Sequence, residues 1–261
     1  RMNSFLGNTQ TKTVHLPYDG MIHEARTPDT KNGAQTGFYP GGEYIFQKHF
    51  TAPQAWQGKP VSLVFEGVYQ TALVYLNGWL LTRNVNGYAE FTVEAGPYLK
   101  YGADNLLKVI ADNSLEPKSR WYTGSGIYRP VRLLVGNKVY LPQDTVRITT
   151  READEGFALL DVTAQVQSAS TVTERVTLQQ TICREGTAVL TDRQNLLLQP
   201  GESRTVSFRY CVDSPALWSP ENPNLYTSTM QVLEGEEELD REETGFGIRT
   251  LSIDAAHGVR I

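Results

Sequence analysis

Apolar and polar residues alternate over short stretches of this sequence. No stretch keeps the i, i+3, i+4, i+7 spacing of an amphipathic helix for three turns. Gly, Pro and Asn separate the alternating stretches. Asn77-Gly78 lies between two apolar runs and signals a β-hairpin, because a type I′ turn needs positive φ at both central residues. The pattern predicts an all-β fold of the sandwich or jelly-roll type.

The length predicts two domains, since a single hydrophobic core stops growing near the size of this 261-residue chain. A boundary is expected near residues 136–142. Beyond it, roughly seven alternating strands in about 110 residues are typical of an immunoglobulin-like sandwich. The acidic run at residues 234–238 is interpreted as a solvated hairpin tip.

Composition and charge exclude several classes of protein. The formal net charge is −5 and Lys and Arg do not cluster, so no nucleic-acid partner is expected. No apolar run reaches the roughly 18 residues that a membrane helix needs, so no membrane partner is expected. The first residues lack the hydrophobic region of a signal peptide, which leaves a bacterial-type cytoplasmic or periplasmic location open.

The sequence also lacks the common motifs of cofactor and metal chemistry. It has no phosphate loop, GxGxxG, HExxH, CxxC or GxSxG, and its four histidines do not have the spacing of metal ligands. We therefore expect no cofactor, no metal site and no catalytic triad in this chain.

The two cysteines are predicted to point away from the cores. In residues 206–212 the even-numbered positions are apolar, so Cys211 lies on the opposite face of that strand. Cys183 is likewise out of phase with Val176, Leu178 and Ile182. Free thiols are the favoured interpretation and a surface cross-strand disulfide is the alternative, because an immunoglobulin inter-sheet disulfide needs both cysteines inside.

Several segments, taken in order, resemble glycoside hydrolase family 2, which includes the β-galactosidases. The most specific resembles the segment that closes the family's sugar-binding domain, and it reads Ser119-Arg120-Trp121-Tyr122-Thr123-Gly124-Ser125-Gly126-Ile127-Tyr128-Arg129-Pro130-Val131. The other segments are residues 16–22, 38–44, 65–69, 74–78, 217–226 and 245–250. The resemblance covers residues 16–261.

The resemblance implies a jelly-roll, galactose-binding-like β-sandwich at 1–139 and an immunoglobulin-like β-sandwich at 140–253. Residues 254–261 would begin the linker to a catalytic TIM barrel with two glutamates. No catalytic residue can be assigned within this chain, because the barrel segments have no counterpart here. The resemblance therefore implies the non-catalytic front part of a retaining β-galactosidase. Its partners would be its own barrel and a β-linked saccharide, with homo-oligomerisation as a further possibility.

In such enzymes, loops of the jelly roll lean over the mouth of the barrel and help to shape the sugar subsite. By this resemblance the candidate sugar contacts are Tyr39, Asn113, Ser119, Arg120, Trp121 and Tyr122. The two aromatic residues at 121 and 122 would stack on a sugar ring, and the polar residues at 113, 119 and 120 would hydrogen-bond hydroxyl groups. The alternative for Trp121 is that it plugs the end of the sandwich.

Other interpretations remain open at this point. The chain could be a stand-alone carbohydrate-binding or adhesion module, or it could belong to a β-glucuronidase or β-mannosidase. Trp79, beside the predicted hairpin turn, is either an exposed aromatic platform or an inter-domain contact, of which the second is favoured. Tyr128 and Arg129 are expected to form a buried tether, because Arg supplies five donors for backbone carbonyls. Trp218 is expected to cap a core.

Overall fold

The structure is a computed structural model that describes residues 11–31, 33–114, 121–256 and 258–260. The chain divides into two compact units, Arg1–Val135 and Gly136–Ile261. The described residues form β-strands and four 3-10 helices of three or four residues, and none of these helices could cross a membrane. The prediction of an all-β fold with two sandwiches is confirmed. The predicted domain ranges stay predictions.

The described residues of the first unit form three antiparallel sheets, with strand orders β2-β8-β5-β6, β10-β3-β7 and β1-β9-β4. Its strands are β1 Tyr18–Asp19, β2 Glu43–Thr51, β3 Val61–Phe65, β4 Val68–Tyr69, β5 Thr71–Leu76, β6 Trp79–Asn84, β7 Phe91–Glu94, β8 Asp104–Asp112, β9 Gly126–Ile127 and β10 Val131–Val135. Its 3-10 helices are Met21–His23, Gly33–Thr36, Gln54–Trp56 and Gly96–Tyr98.

Strand alternation places the core of the first unit between its sheets. Every second side chain of β8 is buried, and β3, β4, β5, β7 and β9 supply most of the other apolar residues of the same cluster. Phe65 of β3 stacks on Phe91 of β7 at 5.0 Å between ring centroids. The β5–β6 hairpin turns at Asn77 and Gly78, whose φ values are 54° and 92°, so the predicted turn is confirmed.

The second unit is a sandwich of two four-stranded antiparallel sheets followed by a short hairpin. One sheet has the order β11-β13-β12 with β16 also paired to β13, the other has the order β15-β14-β17-β18, and β19 pairs with β20. Its strands are β11 Val139–Tyr140, β12 Arg147–Ala153, β13 Phe157–Ser168, β14 Glu174–Arg184, β15 Thr187–Leu198, β16 Ser203–Asp213, β17 Tyr226–Glu234, β18 Glu237–Phe246, β19 Ser252–Asp254 and β20 Gly258–Arg260.

The strand phase inferred for the cysteines is confirmed. The even-numbered residues of β16 from 206 to 212 are buried, whereas Cys211 is exposed. Cys183 is partly exposed, and both thiols are free, so the alternative of a cross-strand disulfide is wrong. The same alternation buries a polar residue: Gln180 lies in the core of β14 and donates to the Ser228 hydroxyl at 2.9 Å.

The acidic run is the tip of the β17–β18 hairpin, as predicted, but one of its residues has a structural partner. The Lys138 ammonium lies 2.7 Å from Glu234 and 3.0 Å from the buried carboxylate of Glu174. The hydroxyl of Ser170 and then this ammonium hold the pKa of the Glu174 carboxyl below its usual range, against the opposing effect of burial. The residues that lead into the second unit are therefore fastened to its fold.

Trp218 is half-buried and belongs to the closing segment of the second unit. Its backbone N–H donates to the Ile248 carbonyl at 2.9 Å, and the Arg249 guanidinium lies 4.6 Å from the centre of its ring. Ile248 is fully buried in the core of the unit. The expectation that Trp218 covers a core agrees with this position.

Glu242 on β18 is an acidic side chain on the face that points into the sandwich. It lies opposite Met230, which is fully buried. Burial, followed by the neighbouring carboxylates of Asp144 and Asp240, raises the pKa of Glu242 to about 7. This carboxyl therefore changes its protonation state in the neutral pH range.

We predict that Glu242→Gln stabilises the protein at alkaline pH. Because the folded pKa is raised above the ordinary 4.5, the stability that the protonated carboxyl provides is complete below that value and is lost as the pH rises through about 7. At pH 8 the free energy of unfolding of the variant should exceed that of the wild type by about 2 kcal/mol. Near pH 4.5 the two values should be equal. Urea unfolding across this range measures the difference.

Glu243→Gln is the matched control, since Glu243 is the next residue along β18 and is exposed. It should follow the wild type at every pH. A constant difference between Glu242→Gln and the wild type from pH 4.5 to 8 would contradict the assigned titration.

Candidate functional site

A small three-stranded sheet joins three of the segments that carry the family resemblance. Strand β9 lies between β1 and β4, so that Gly126 pairs with Asp19 on one side and with Tyr69 on the other. Only glycine fits at position 126. Its φ is +144°, and a Cβ built there would lie 2.4 Å from the Tyr18 carbonyl oxygen.

The Asp19 carboxylate is the hydrogen-bonding centre of this end of the unit. Its Oδ1 accepts from the backbone N–H groups of Met21 at 3.0 Å and Ser125 at 2.9 Å. Its Oδ2 accepts from the hydroxyl of Tyr122 at 2.5 Å. Burial and then the bond to Asp19 raise the pKa of Tyr122 well above its usual range, so the phenol is a neutral donor at physiological pH.

A second carboxylate and phenol lie beside this centre. The hydroxyl of Tyr44 donates to Glu24 at 2.6 Å, and burial followed by this bond raises the pKa of Tyr44. We call Asp19, Glu24, Tyr39, Tyr44 and Tyr122 the tyrosine cluster. In the described ranges, no group of three or more His, Cys, Asp or Glu side chains is placed to hold a metal ion.

Tyr39 and Tyr122, both predicted sugar contacts, lie together. Their rings meet edge to face at 5.2 Å between centroids, and both side chains are partly exposed. The Tyr39 carbonyl accepts from the Thr36 hydroxyl at 2.9 Å, and the exposed Arg26 guanidinium lies 6.0 Å from the centre of the Tyr39 ring. The cluster therefore presents two tyrosine rings to solvent, and the Arg26 cation lies beside one of them.

Asn113 fastens two loops of this end to each other. Its side chain is 1% exposed and donates to the Gly124 carbonyl at 2.9 Å, while its backbone N–H donates to the Gly42 carbonyl at 2.9 Å. These bonds give Asn113 a role in the fold. Its predicted contact with a sugar hydroxyl stays a prediction.

Trp121 is 61% exposed, so it does not plug the end of the sandwich. This indole is thus available as an aromatic surface next to Tyr122. The other two predicted contacts, Ser119 and Arg120, lie outside the described residues.

The sequence prediction missed several residues of this end, namely Asp19, Glu24, Tyr44, Tyr69 and Tyr88. Tyr69 meets the exposed Tyr88 at 5.3 Å between ring centroids, and its carbonyl accepts from the Ser125 hydroxyl at 3.4 Å. Asp19 could have been inferred, because an Asp followed by Gly near a strand end commonly accepts N–H bonds from its own turn. The three tyrosines gave no such signal, since their partners are distant in sequence.

Tyr128 and Arg129 differ in how they meet the expected buried tether. The Tyr128 hydroxyl donates to the Gly87 carbonyl at 2.7 Å, as a tether should. Arg129 donates to the Glu66 carbonyl at 3.4 Å but is exposed, so the expectation of burial is wrong for Arg129. The reason is that the Tyr128 ring fills the inner position and Arg129 lies over that ring, 5.4 Å from its centre.

The chain matches two family models along most of its length. The galactose-binding domain-like model of glycosyl hydrolase 2 matches residues 12–158, and the model of glycosyl hydrolases family 2 matches residues 139–249. The chain belongs to glycosyl hydrolase family 2. The matches confirm the sequence resemblance and the order of its two domains.

Similar proteins of this family are longer than the chain. A β-galactosidase of Bacteroides ovatus is 34% identical over 95% of the chain and 29% of its own length. A β-glucuronidase of Formosa agariphila is 26% identical over 90% of the chain and 27% of its own length. The crystal structure of a family 2 member from Bacteroides cellulosilyticus has a TM-score of 0.85 and 30% identity, over 95% of the chain and 34% of that structure. The chain thus spans about a third or less of each.

We predict that Tyr122→Phe lowers the free energy of unfolding by about 2 kcal/mol, the usual size for a hydrogen bond to a charged group. Asp19→Ala should cost more, because it leaves two backbone N–H groups and the Tyr122 hydroxyl without their acceptor. The double variant should be no less stable than Asp19→Ala alone, since both changes remove the same bond. Chemical denaturation of the four proteins gives the coupling.

Tyr98→Phe serves as the control, because no described residue hydrogen-bonds the Tyr98 hydroxyl, and it should stay within about 0.5 kcal/mol of the wild type. Strictly additive effects of Tyr122→Phe and Asp19→Ala would show that the bond contributes nothing.

Proposed function

We propose that this chain is the non-catalytic front part of a retaining β-galactosidase, in which it supports a catalytic barrel and lends secondary contacts to the sugar. The observation that carries the proposal is the ordered match to the two family domains, together with the similarity to 29% of the length of a β-galactosidase. The tyrosine cluster and Trp121 supply the surface for those contacts.

We assign the catalytic carboxyl groups to the barrel, because the carboxylates of the tyrosine cluster already accept hydrogen bonds that stabilise the first unit. Retaining hydrolysis needs two carboxyl groups about 5–5.5 Å apart, one acting as nucleophile and one as acid and base. Asp19 accepts three hydrogen bonds from its own unit, and Glu24 accepts one from Tyr44. These bonds give both carboxylates a role in holding the fold together.

The contribution to sugar binding would come from aromatic and amide groups. An exposed indole such as that of Trp121 covers the apolar face of a pyranose ring, while the rings of Tyr39 and Tyr122 form a wall beside it. Asn113 would contribute to sugar binding by fixing the position of the loop that it fastens. If that loop shifts on binding, its side chain would hydrogen-bond the sugar directly. These contacts raise affinity without taking part in bond cleavage.

A β-glucuronidase is the second candidate, and one observation in the chain favours it. Arg26 is an exposed guanidinium beside Tyr39, and a guanidinium pairs well with the carboxylate that distinguishes a glucuronide from a galactoside. The similarity to the Formosa agariphila β-glucuronidase agrees with this alternative.

We predict that the isolated chain hydrolyses neither nitrophenyl β-galactoside nor nitrophenyl β-glucuronide, whereas the full-length protein hydrolyses the galactoside with retention of configuration. Initial rates measure the hydrolysis of each substrate, and NMR identification of the anomer that forms first shows whether the configuration is retained. A preference for the glucuronide that Arg26→Ala removes would select the second candidate. Turnover by the isolated chain that a point substitution abolishes would refute the proposed division of labour.

We predict that Trp121→Ala in the full-length enzyme raises KM about tenfold and leaves kcat within a factor of two, because stacking contributes equally to the ground state and the transition state. Stability should change little, since the indole is mostly exposed. Ile45→Ala is a suitable control, because Ile45 is an exposed apolar residue on β2. An unchanged KM would remove Trp121 from the sugar contacts.

A further inference from the structure

An exposed aromatic pair lies at the other end of the first unit. Trp79 follows the turn of the β5–β6 hairpin and is 66% exposed, and Tyr98 ends the 3-10 helix Gly96–Tyr98 and is 37% exposed. Their ring centroids are 6.5 Å apart and their planes are inclined by 48°. The two rings therefore form a bent, open surface.

Two asparagines hold the elements that carry these rings. The side-chain amide of Asn77 donates to the Tyr98 carbonyl and to the side chain of Asn105, each at 2.8 Å. Asn105 is completely buried and donates to the carbonyls of Lys100 and Ala103 at 3.0 Å. The hairpin turn and the 3-10 helix are thus joined through a buried network, which fixes the backbone under both rings before any ligand arrives.

Trp79 adds little to the core that it borders. It lies opposite Leu76, whose side chain is fully buried, so the two share the inner face of the sheet. The indole, however, extends past the end of that core and keeps two thirds of its surface in solvent. A residue whose purpose is to cap the sandwich would be buried.

The polar ends of the pair have no hydrogen-bond partner within the described ranges. This holds for the indole N–H of Trp79 and for the hydroxyl of Tyr98. Each ring thus offers an apolar face and an unused polar group at its rim, a combination that complements the C–H face and the hydroxyl groups of a sugar.

The size of the pair favours a small ligand over a protein partner. With side-chain areas of about 200–250 Å², the exposed fractions amount to roughly 240 Å². A stable protein interface buries about 800 Å² on each partner. The exposed aromatic area is therefore several times too small for such an interface.

We propose that Trp79 and Tyr98 form a second binding site of the protein, for a polysaccharide chain. It is separate from the tyrosine cluster. Asn105 lies at the start of β8 and Asn113 just past its end, and eight residues of extended strand span about 27 Å. The site holds a saccharide and performs no chemistry on it.

The test is affinity electrophoresis of the full-length protein through gels that contain soluble β-1,4-galactan or mixed-linkage β-glucan. At least one polysaccharide should retard the wild type, and Trp79→Ala should weaken this binding about tenfold or more. Tyr98→Phe should have a smaller effect than Tyr98→Ala, because it keeps the ring. Hydrolysis of a nitrophenyl monosaccharide should be unchanged in all variants.

Leu80→Ala is the matched control, since Leu80 is 52% exposed, follows Trp79 on the same strand and lies opposite Tyr75, on the other face of the sheet. It should bind as the wild type does. The proposal is overturned if neither polysaccharide retards the wild type, or if Trp79→Ala binds like Leu80→Ala. It is also overturned if Trp79→Ala melts several degrees lower, which indicates a structural cap, or changes the oligomeric state, which indicates a protein contact.

This outcome does not depend on the proposed function. Retardation that needs Trp79 in a protein without galactosidase activity would refute the β-galactosidase assignment alone. Galactosidase activity with no effect of Trp79→Ala on binding would refute the second site alone.

Discussion

The carboxylate of Asp19 holds together parts of the chain that are more than a hundred residues apart. Its hydrogen bonds to Tyr122 and Ser125 span 103 and 106 residues, and they close the end of the unit where β1 meets β9. A buried or half-buried donor left without its acceptor destabilises a fold by about 1–3 kcal/mol. Because three donors share this carboxylate, a substitution of Asp19 should lower the free energy of unfolding considerably. The positions of Tyr39, Trp121 and the loops around them follow from it.

Exposure separates the residues that hold the fold together from the residues that are proposed to bind sugar. Asp19 and Asn113 have their hydrogen-bonding groups used within the fold, whereas Trp121 and Trp79 keep most of their indole surface in solvent. This division agrees with the proposal that the catalytic groups belong to another domain. A rigid support must satisfy its own polar groups, and only the aromatic faces left over can meet a ligand at little cost in conformational entropy.

Local patterns were sufficient to predict the strands, the Asn77-Gly78 turn and the outward direction of Cys211, because each depends on a period or on a dihedral preference within a few residues. The buried position of Gln180 follows from the same period. Its polar side chain, however, argues against burial, and its hydrogen-bond partner Ser228 is 48 residues away. The contacts of Asp19 and Tyr69 could not be predicted for the same reason. Hydrogen bonds between remote segments leave no periodic trace in a sequence.

Strand β8 fixes the separation between the buried asparagine networks at its two ends, and an extended strand changes its length very little. If both ends bind sugar as proposed, a short ligand would occupy one end at a time. A polymer long enough to reach both would bind the second end at the high effective concentration set by its first attachment. Because the spacing is fixed, affinity would then depend on chain length. The protein would bind a polysaccharide more tightly than the short fragments released from it.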